Sequence, residues 1–130
     1  MEQKLQQKLF NRFPNIYKVG ELPIDYLFFG IECDDGWFNL LWKLSESLEK
    51  TQTDVQALQV KEKFGTLRFY INGGDDVCPH LIIDAEERSA FICEICGRKG
   101  KLRDYGWLKT LCWYHYFKIM LRRKLERWQI

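Results

Sequence analysis

Apolar residues recur at helical spacing in three stretches of the chain. Residues 2–13 predict a short amphipathic helix, which Pro14 ends because proline disfavours helical backbone in the residue before it. Residues 77–91 predict a further helix, with Leu81, Ile82, Ala85 and Arg88 or Ser89 along its inner side. The clearest helix covers residues 37–50, where one apolar stripe is formed by Trp37, Leu40, Leu41, Leu44 and Leu48.

Two other stretches have the pattern of strands. Residues 28–33 predict a strand that leads into Asp34-Asp35-Gly36, a turn expected to cap the next helix. Residues 55–72 predict a β-hairpin with Phe64-Gly65 at its turn. This register pairs Leu58 with Ile71, Val60 with Phe69 and Glu62 with Leu67 on the core face. The opposite face then carries polar, basic and aromatic side chains, namely Gln59, Lys61, Lys63, Arg68 and Tyr70.

Candidate chemistry is concentrated in the last third of the chain. Cys93 and Cys96 form a Cys-x-x-Cys pair, and fifteen residues separate Cys96 from the pair Cys112 and His115. Three thiolates and an imidazole at this spacing are typical of a structural zinc site, in which four ligands surround one ion. Gly97 suits the tight turn that presents both thiolates of the first pair. The sequence therefore predicts one structural Zn²⁺.

The elements around these four residues follow a recognisable order. A knuckle over residues 92–97 precedes a short hairpin over 101–111, and the second ligand pair then begins a last helix that runs to about residue 128. That order is typical of a treble-clef zinc finger. We expect an α+β fold, in which a small antiparallel sheet with packed helices occupies residues 1–91 and the zinc module occupies 92–130, the two forming one compact domain.

The composition of the 130-residue chain supports a packed, cytoplasmic protein. Hydrophobic residues make up 46% of it and aromatic residues 15%, enough to bury a core. No apolar run approaches the roughly 20 residues of a membrane-spanning helix, and the polar start predicts no export signal. Five cysteines in a cytosolic chain are better explained by a metal site than by disulfides. We expect no membrane partner.

Charge is distributed unevenly along the chain. Residues 1–96 hold 10 Lys and Arg against 16 Asp and Glu, a balance of −6, whereas residues 97–130 hold 10 against 2, a balance of +8. Such asymmetry indicates an anionic partner for the basic part. Mutual attraction between the two parts of the same chain explains it equally well, and the sequence leaves both explanations open.

The motifs of zinc enzymes do not match. A deaminase needs His-x-Glu upstream of Pro-Cys-x-x-Cys, but Ile82 stands two positions after His80, where Glu is needed, and Ile92 precedes Cys93, where Pro is needed. A metalloprotease needs His-Glu-x-x-His, and the two histidines of this chain lie thirty-five positions apart. Nucleases of the His-Asn-His type need histidines beyond the structural ligands. We therefore expect no enzyme activity and no small-molecule substrate.

Weaker candidates have simpler explanations. Cys33, Cys78 and His80 could form a second metal site, but three loosely spaced residues are more typical of buried thiols and an exposed histidine. Paired aspartates at 34–35 and 75–76 adjoin glycine turns, where they serve as turn residues rather than as catalytic carboxylates.

Two surfaces are candidates for partner binding. One is the hairpin with Lys61, Lys63, Phe64, Arg68 and Tyr70, where an exposed Phe at the tip either contacts the zinc module or anchors another protein. The other is the basic region after Cys96, whose cations are interleaved with aromatic residues and include Arg122, Arg123 and Arg127. Such a region suits phosphates and bases, although aromatic side chains in a small core surrounded by solvated cations would give the same pattern.

Three segments together resemble a known family. They are QVKEKFGTLRFY at residues 59–70, DGWF at 35–38, and CEICGR at 93–98 leading to GWLKTLC at 106–112. They resemble a family of small uncharacterised proteins from bacteria and their phages and prophages, over about residues 30–115. The resemblance implies a cytoplasmic accessory protein with Cys93, Cys96, Cys112 and His115 as metal ligands, and it implies no particular activity.

The function expected from all of this is non-catalytic binding. A protein partner is the first hypothesis, as for a regulator, inhibitor or immunity factor in conflict between phage and bacterium. Binding of nucleic acid through the basic C-terminal third is the alternative.

Overall fold

The computed structural model describes residues 1–18, 27 and 29–129 of the chain. All three helices predicted for the first ninety or so residues are present, with ends that differ from the prediction by at most two residues. In chain order the described elements are α1 (Gln3–Arg12), β1 (Ile31–Glu32), α2 (Phe38–Lys50), β2 (Val55–Lys63), β3 (Thr66–Gly73), α3 (Val77–Ser89), β4 (Lys101–Asp104), β5 (Leu108–Leu111) and α4 (Trp113–Trp128).

The stripe predicted for α2 forms the centre of the core. Leu41 and Leu48 are fully buried, and Trp37 is fully buried at the end of a 3₁₀ turn, Asp35–Trp37, that precedes the helix. The predicted capping of α2 by the aspartates is wrong, because neither Asp34 nor Trp37 makes a side-chain cap. Asp35 instead accepts a hydrogen bond from the Glu2 amide at 2.7 Å. This contact fixes the start of α1 against the turn.

Within the described residues, the main sheet has three strands in the order β1-β2-β3. β2 and β3 pair antiparallel as predicted, but β1 lies parallel to β2, so the expectation of a purely antiparallel sheet is wrong. In the chain, α2 lies between β1 and β2. This crossover helix carries the chain back to the end of the sheet where β1 begins, so β2 runs parallel to β1. The predicted strand was longer, and its first residue, 28, lies outside the described residues.

The turn of the β2-β3 hairpin lies at Phe64-Gly65, as predicted. Both residues have positive φ, +55° and +85°, as a two-residue turn of type I′ requires. Val60 pairs with Phe69 and Glu62 with Leu67, also as predicted.

The predicted pairing of Leu58 with Ile71 is wrong. Ala57 pairs with Ile71, and the register shifts between Ala57 and Gln59, so that Leu58 is the extra residue of a β-bulge. The carbonyl of Leu58 instead accepts a hydrogen bond from the amide of Leu27.

α3 covers the outer edge of β3. The Leu67 amide donates to Ser89 Oγ at 2.9 Å, and the Phe69 amide donates to a Glu86 carboxylate oxygen at 3.0 Å. Two side chains of the helix thereby bind amide groups that an edge strand would otherwise leave unpaired. Ser89 belongs to the inner side of α3 as predicted, whereas its predicted alternative, Arg88, is exposed and pairs with Asp84.

The predicted zinc module has its own small core, formed by Cys93, Leu111 and Cys112. Its hairpin, β4 and β5, and its last helix, α4, occur where the sequence predicted them. No residue of α4 is buried. None of the described helices has the length and the apolar character that crossing a membrane requires.

Candidate metal centre and neighbouring surfaces

The four predicted ligands come together at one point of the module. Their ligand atoms, three Sγ and one imidazole nitrogen, all lie within 4.8 Å of one another. His115 Nδ1 lies 3.3 Å from Cys112 Sγ and 3.7 Å from Cys93 Sγ, and Cys96 Sγ lies 3.8 Å from Cys112 Sγ. The cluster could hold one metal ion.

Local backbone structure aims each pair at this point. In the knuckle, the Gly97 amide donates to the Cys93 carbonyl at 2.9 Å, and Gly97 has a φ of +80°, which glycine adopts without steric cost. Cys112 is the N-cap residue of α4, and its Sγ accepts from the His115 amide at 3.5 Å. One turn of helix therefore places the second thiol and the imidazole side by side.

The environment of Cys112 favours a thiolate. Burial alone would oppose ionisation, but hydrogen bonds from the amide and the ring of His115 lower the pKa of the Cys112 thiol to about 6. Thiolates are the form in which cysteine binds metals. A tetrahedral ion held by all four residues would have no position left for water or substrate, so the arrangement suits a structural metal rather than a catalytic one.

The metal module is joined to the core through the turn that precedes α2. The Gly36 amide donates to the Glu94 carbonyl at 2.7 Å, and the Trp37 indole donates to the Ile92 carbonyl at 2.9 Å. A Cβ on Gly36 would lie 2.1 Å from the Cys93 carbonyl oxygen, so the two backbones approach closely. The knuckle and this turn therefore form one rigid junction.

Glu94 completes the junction as a buried acid. Its carboxylate accepts from the Asp34 amide at 3.0 Å and from the Lys109 ammonium at 3.3 Å, and the residue is 2% exposed. Burial raises the pKa of the Glu94 carboxyl, while Lys109 and the Asp34 amide oppose that rise. Lys109 also lies 3.7 Å from the Asp34 carboxylate. Lys109, a cation of the basic part, is therefore neutralised by Asp34 and Glu94 of the acidic part. This agrees with the explanation that the two parts of the chain attract each other.

The tip of the β2-β3 hairpin rests on the hairpin of the metal module. The hydroxyl of buried Thr110 donates to the Gly65 carbonyl at 2.7 Å. A Cβ on Gly65 would lie 2.4 Å from the Leu102 side chain and 3.3 Å from the backbone of Leu108. The backbone of the tip thus contacts the module, whereas the Phe64 side chain is 63% exposed.

An apolar cleft of about 450 Å³ opens between the two hairpin tips. Its two aromatic side chains, Phe64 and Trp107, are each 63% exposed, and the Lys63 ammonium lies 5.5 Å from the centre of the Phe64 ring. We call this the hairpin cleft, and its lining consists of Glu62, Lys63, Phe64, Gly106, Trp107 and Leu108.

The structure places the other predicted hairpin residues on one face. Lys61 is the strand partner of Arg68, and Tyr70, 45% exposed, follows on the same side of the sheet. Arg68 donates to the Thr66 hydroxyl at 3.1 Å. Lys61, Lys63, Arg68 and Tyr70 therefore share the outer surface of the hairpin, and Phe64 projects from its tip.

The predicted arginines of α4 differ in their surroundings. Arg123 donates to the Tyr105 carbonyl and lies over the Tyr105 ring, 5.4 Å from its centre, so it helps to hold α4 on the module. Arg122 and Arg127 are exposed, and among the described residues no ion pair involves α4.

Cys33, Cys78 and His80 lie apart from the cluster. Cys33 is buried in the core, and burial raises the pKa of its thiol. Cys78 is buried where α3 begins and donates to the Asp75 carboxylate at 3.4 Å, while His80 is exposed. Within the described ranges, the one Cys/His/acid group that could hold a metal is the cluster in the module.

Sequence reasoning missed the junction and half of the hairpin cleft. Glu94 was not singled out, since a glutamate between two ligands gives no local signal of burial. No local pattern places Trp107 at the same cleft as Phe64, because that placement depends on how the two hairpins pack. Buried Thr110 is a threonine in a strand, a residue type that strands commonly carry.

Comparison with family models, with curated proteins and with solved structures found no match to this chain. The resemblance to small bacterial and phage proteins stays a prediction.

Proposed function

We propose that the four-residue cluster holds one structural zinc ion in a treble-clef module. Tetrahedral zinc, with Zn–S about 2.3 Å and Zn–N about 2.0–2.1 Å, requires ligand atoms roughly 3.6–3.8 Å apart. Two distances in the cluster, 3.7 and 3.8 Å, agree with this requirement, whereas His115 Nδ1 to Cys112 Sγ is shorter at 3.3 Å and the widest separation is within 4.8 Å. The order of knuckle, hairpin and helix around the ligands supports the treble-clef assignment.

We further propose that the protein is a non-catalytic binding protein whose partner is another protein. The observation that supports this most strongly is the hairpin cleft, in which two exposed aromatic side chains flank an apolar opening. Aromatic residues around a pocket are typical of the centres of protein interfaces, where one anchoring side chain of the partner fills the pocket. A role in conflict between phage and bacterium stays a prediction.

The backbone of Phe64 supports the same proposal. Its φ of +55° is unusual for a residue other than glycine, asparagine or aspartate and has an energetic cost. The side chain gains little packing in return, since it is 63% exposed. The energetic cost of an aromatic residue with positive φ at this exposed turn is explained if the Phe64 side chain packs against a binding partner.

The experiment is affinity capture from a bacterial lysate, with Phe64→Ala and Trp107→Ala as test variants and Phe91→Ala as the matched control. Phe91 is 65% exposed and lies outside the lining of the cleft, so its loss removes the same kind of surface elsewhere. We expect a protein that survives nuclease treatment and is lost from both test variants but not from the control. Truncation of an interface anchor typically costs about 2 kcal/mol or more. Equal capture by all variants would contradict the proposal.

Nucleic acid remains the second candidate because of one observation on α4. Attraction within the chain accounts for Lys109, but the exposed cations of α4 have no acidic partner among the described residues. If they bind phosphates, affinity should fall steeply with salt, and charge reversal at Arg122 and Arg127 should abolish it while Phe64→Ala has little effect.

A further inference from the structure

α4 carries a surface that neither proposed partner explains. Five large side chains of this helix are exposed by 45–80%. At about 100° per residue they fall within an arc of roughly 80°. We call this arc the apolar face; its members are Tyr114, Phe117, Leu121, Leu125 and Trp128. With Trp113 beside it, stacked on Phe117 at 5.5 Å, the exposed apolar area exceeds what single scattered residues produce.

The apolar face points away from the rest of the protein. Tyr116 and Ile119, which pack against the core of the metal module, and Arg123, which binds Tyr105, lie on the opposite side of the helix. A flat surface can therefore contact the whole face at once without meeting the module.

Cations border the apolar face on both sides. At about 100° per residue, Lys118 and Arg122 follow one edge and Lys124 follows the other, whereas Arg127 and the acidic Glu126 lie farther round the helix, towards the side that carries Tyr116 and Ile119. A second copy of the chain fits this pattern poorly, because helices paired through these faces would bring like charges together at their flanks. The occupant must be apolar at its centre and anionic around it.

From this charge complementarity we propose that α4 binds the surface of an anionic lipid bilayer. A helix with Trp, Phe and Leu on one side and Lys or Arg on the other is typical of helices that lie in the membrane interface. The aromatic and leucine side chains would enter the boundary of headgroups and acyl chains, while the flanking cations contact anionic headgroups. Nucleic acid would use the cations and leave the apolar face uncovered. The proposal departs from the expectation of no membrane partner, which was based on the lack of an apolar run long enough to span a bilayer; a helix that lies in the interface needs no such run.

The test is flotation of the full-length, zinc-loaded protein with vesicles. One set contains phosphatidylcholine and phosphatidylglycerol in equal parts, and the other contains phosphatidylcholine alone. We expect binding to the anionic set only, a blue shift of tryptophan emission, and release at high salt. Leu121→Gln with Leu125→Gln should weaken binding at least tenfold. Lys118→Gln with Lys124→Gln should weaken it roughly twenty-fivefold, at about fivefold for each cation.

Ile83→Gln on α3 is the matched control, because Ile83 is 50% exposed, between Leu121 at 45% and Leu125 at 56%. It should bind vesicles like the unmodified protein, and zinc content should be equal in all variants. Several results would overturn the proposal: no binding to anionic vesicles, equal binding to neutral ones, or a dimer in solution that the leucine variant dissociates. Binding of duplex DNA or of an acidic protein in place of the vesicles would also overturn it.

Discussion

Replacement of Gly36 by alanine tests whether the core and the metal module are held together by the junction described above. The new Cβ would lie 2.1 Å from the Cys93 carbonyl oxygen and 2.5 Å from the carbonyl of Glu94. Both are backbone atoms and cannot rotate away, so the knuckle has to shift. Such overpacking costs about 1–3 kcal/mol. Weakening of the hydrogen bond from the Gly36 amide to the Glu94 carbonyl adds about 0.5–1.5 kcal/mol.

The lower entropy of the unfolded alanine variant offsets about 0.4–1 kcal/mol of this loss. We therefore expect the free energy of unfolding to fall by about 2–3 kcal/mol, measured by urea denaturation of the zinc-loaded protein. The melting temperature should fall by roughly 8–12 °C for a domain of this size.

Gly106→Ala is the control for the junction variant. Gly106 has a φ of +86° with no atom within 4 Å of the added Cβ, so it should lose only about 1 kcal/mol through backbone strain. If Gly36→Ala lost no more stability than this control, the junction would not couple the two parts.

Three further predictions concern the metal, the contact between hairpins and the exposed aromatic. Metal analysis should find one zinc per chain, which Cys112→Ser removes with a loss of several kcal/mol and Cys33→Ala leaves in place. Thr110→Val should cost about 1–2 kcal/mol in urea denaturation, because the Gly65 carbonyl loses its buried donor, whereas Thr110→Ser should cost less. Phe64→Asn should leave stability unchanged or raise it by about 1 kcal/mol, since asparagine tolerates positive φ; a clear loss would show that Phe64 stabilises the fold.

Local patterns in the sequence predicted the elements well where one face of an element is buried. The stripe of α2 and the turn at Phe64-Gly65 follow from helical spacing and from a glycine that accepts positive φ. The wrong pairing of Leu58 lies where the alternation of buried and exposed residues in β2 changes phase. Val55 and Ala57 are buried two residues apart, but the next buried residue, Val60, follows three residues later. A bulge produces that change, and an uninterrupted hairpin cannot reproduce it.

Contacts distant in the sequence were beyond prediction for a physical reason. Periodicity shows which face of an element is apolar, but it does not show what covers that face. In α4 helical spacing puts large apolar residues on one side, and the structure leaves that side exposed because the helix touches the module through Tyr116 and Ile119. The spacing of the four ligands was informative because their identity, and not their packing, indicates what they bind.

The metal cluster and the hairpin cleft are connected by a short path through β5. Cys112, a member of the cluster, directly follows the strand, and Thr110, two residues earlier, binds the Gly65 carbonyl at the hairpin tip. Trp107 precedes the same strand. Binding of an ion by the cluster would therefore fix the C-terminal end of β5. The N-terminal end of β5 adjoins Trp107, which forms one wall of the cleft, and the hydrogen bond from Thr110 holds the hairpin tip that forms the opposite wall. If the proposals above are correct, the metal shapes the binding surface without taking part in any contact there.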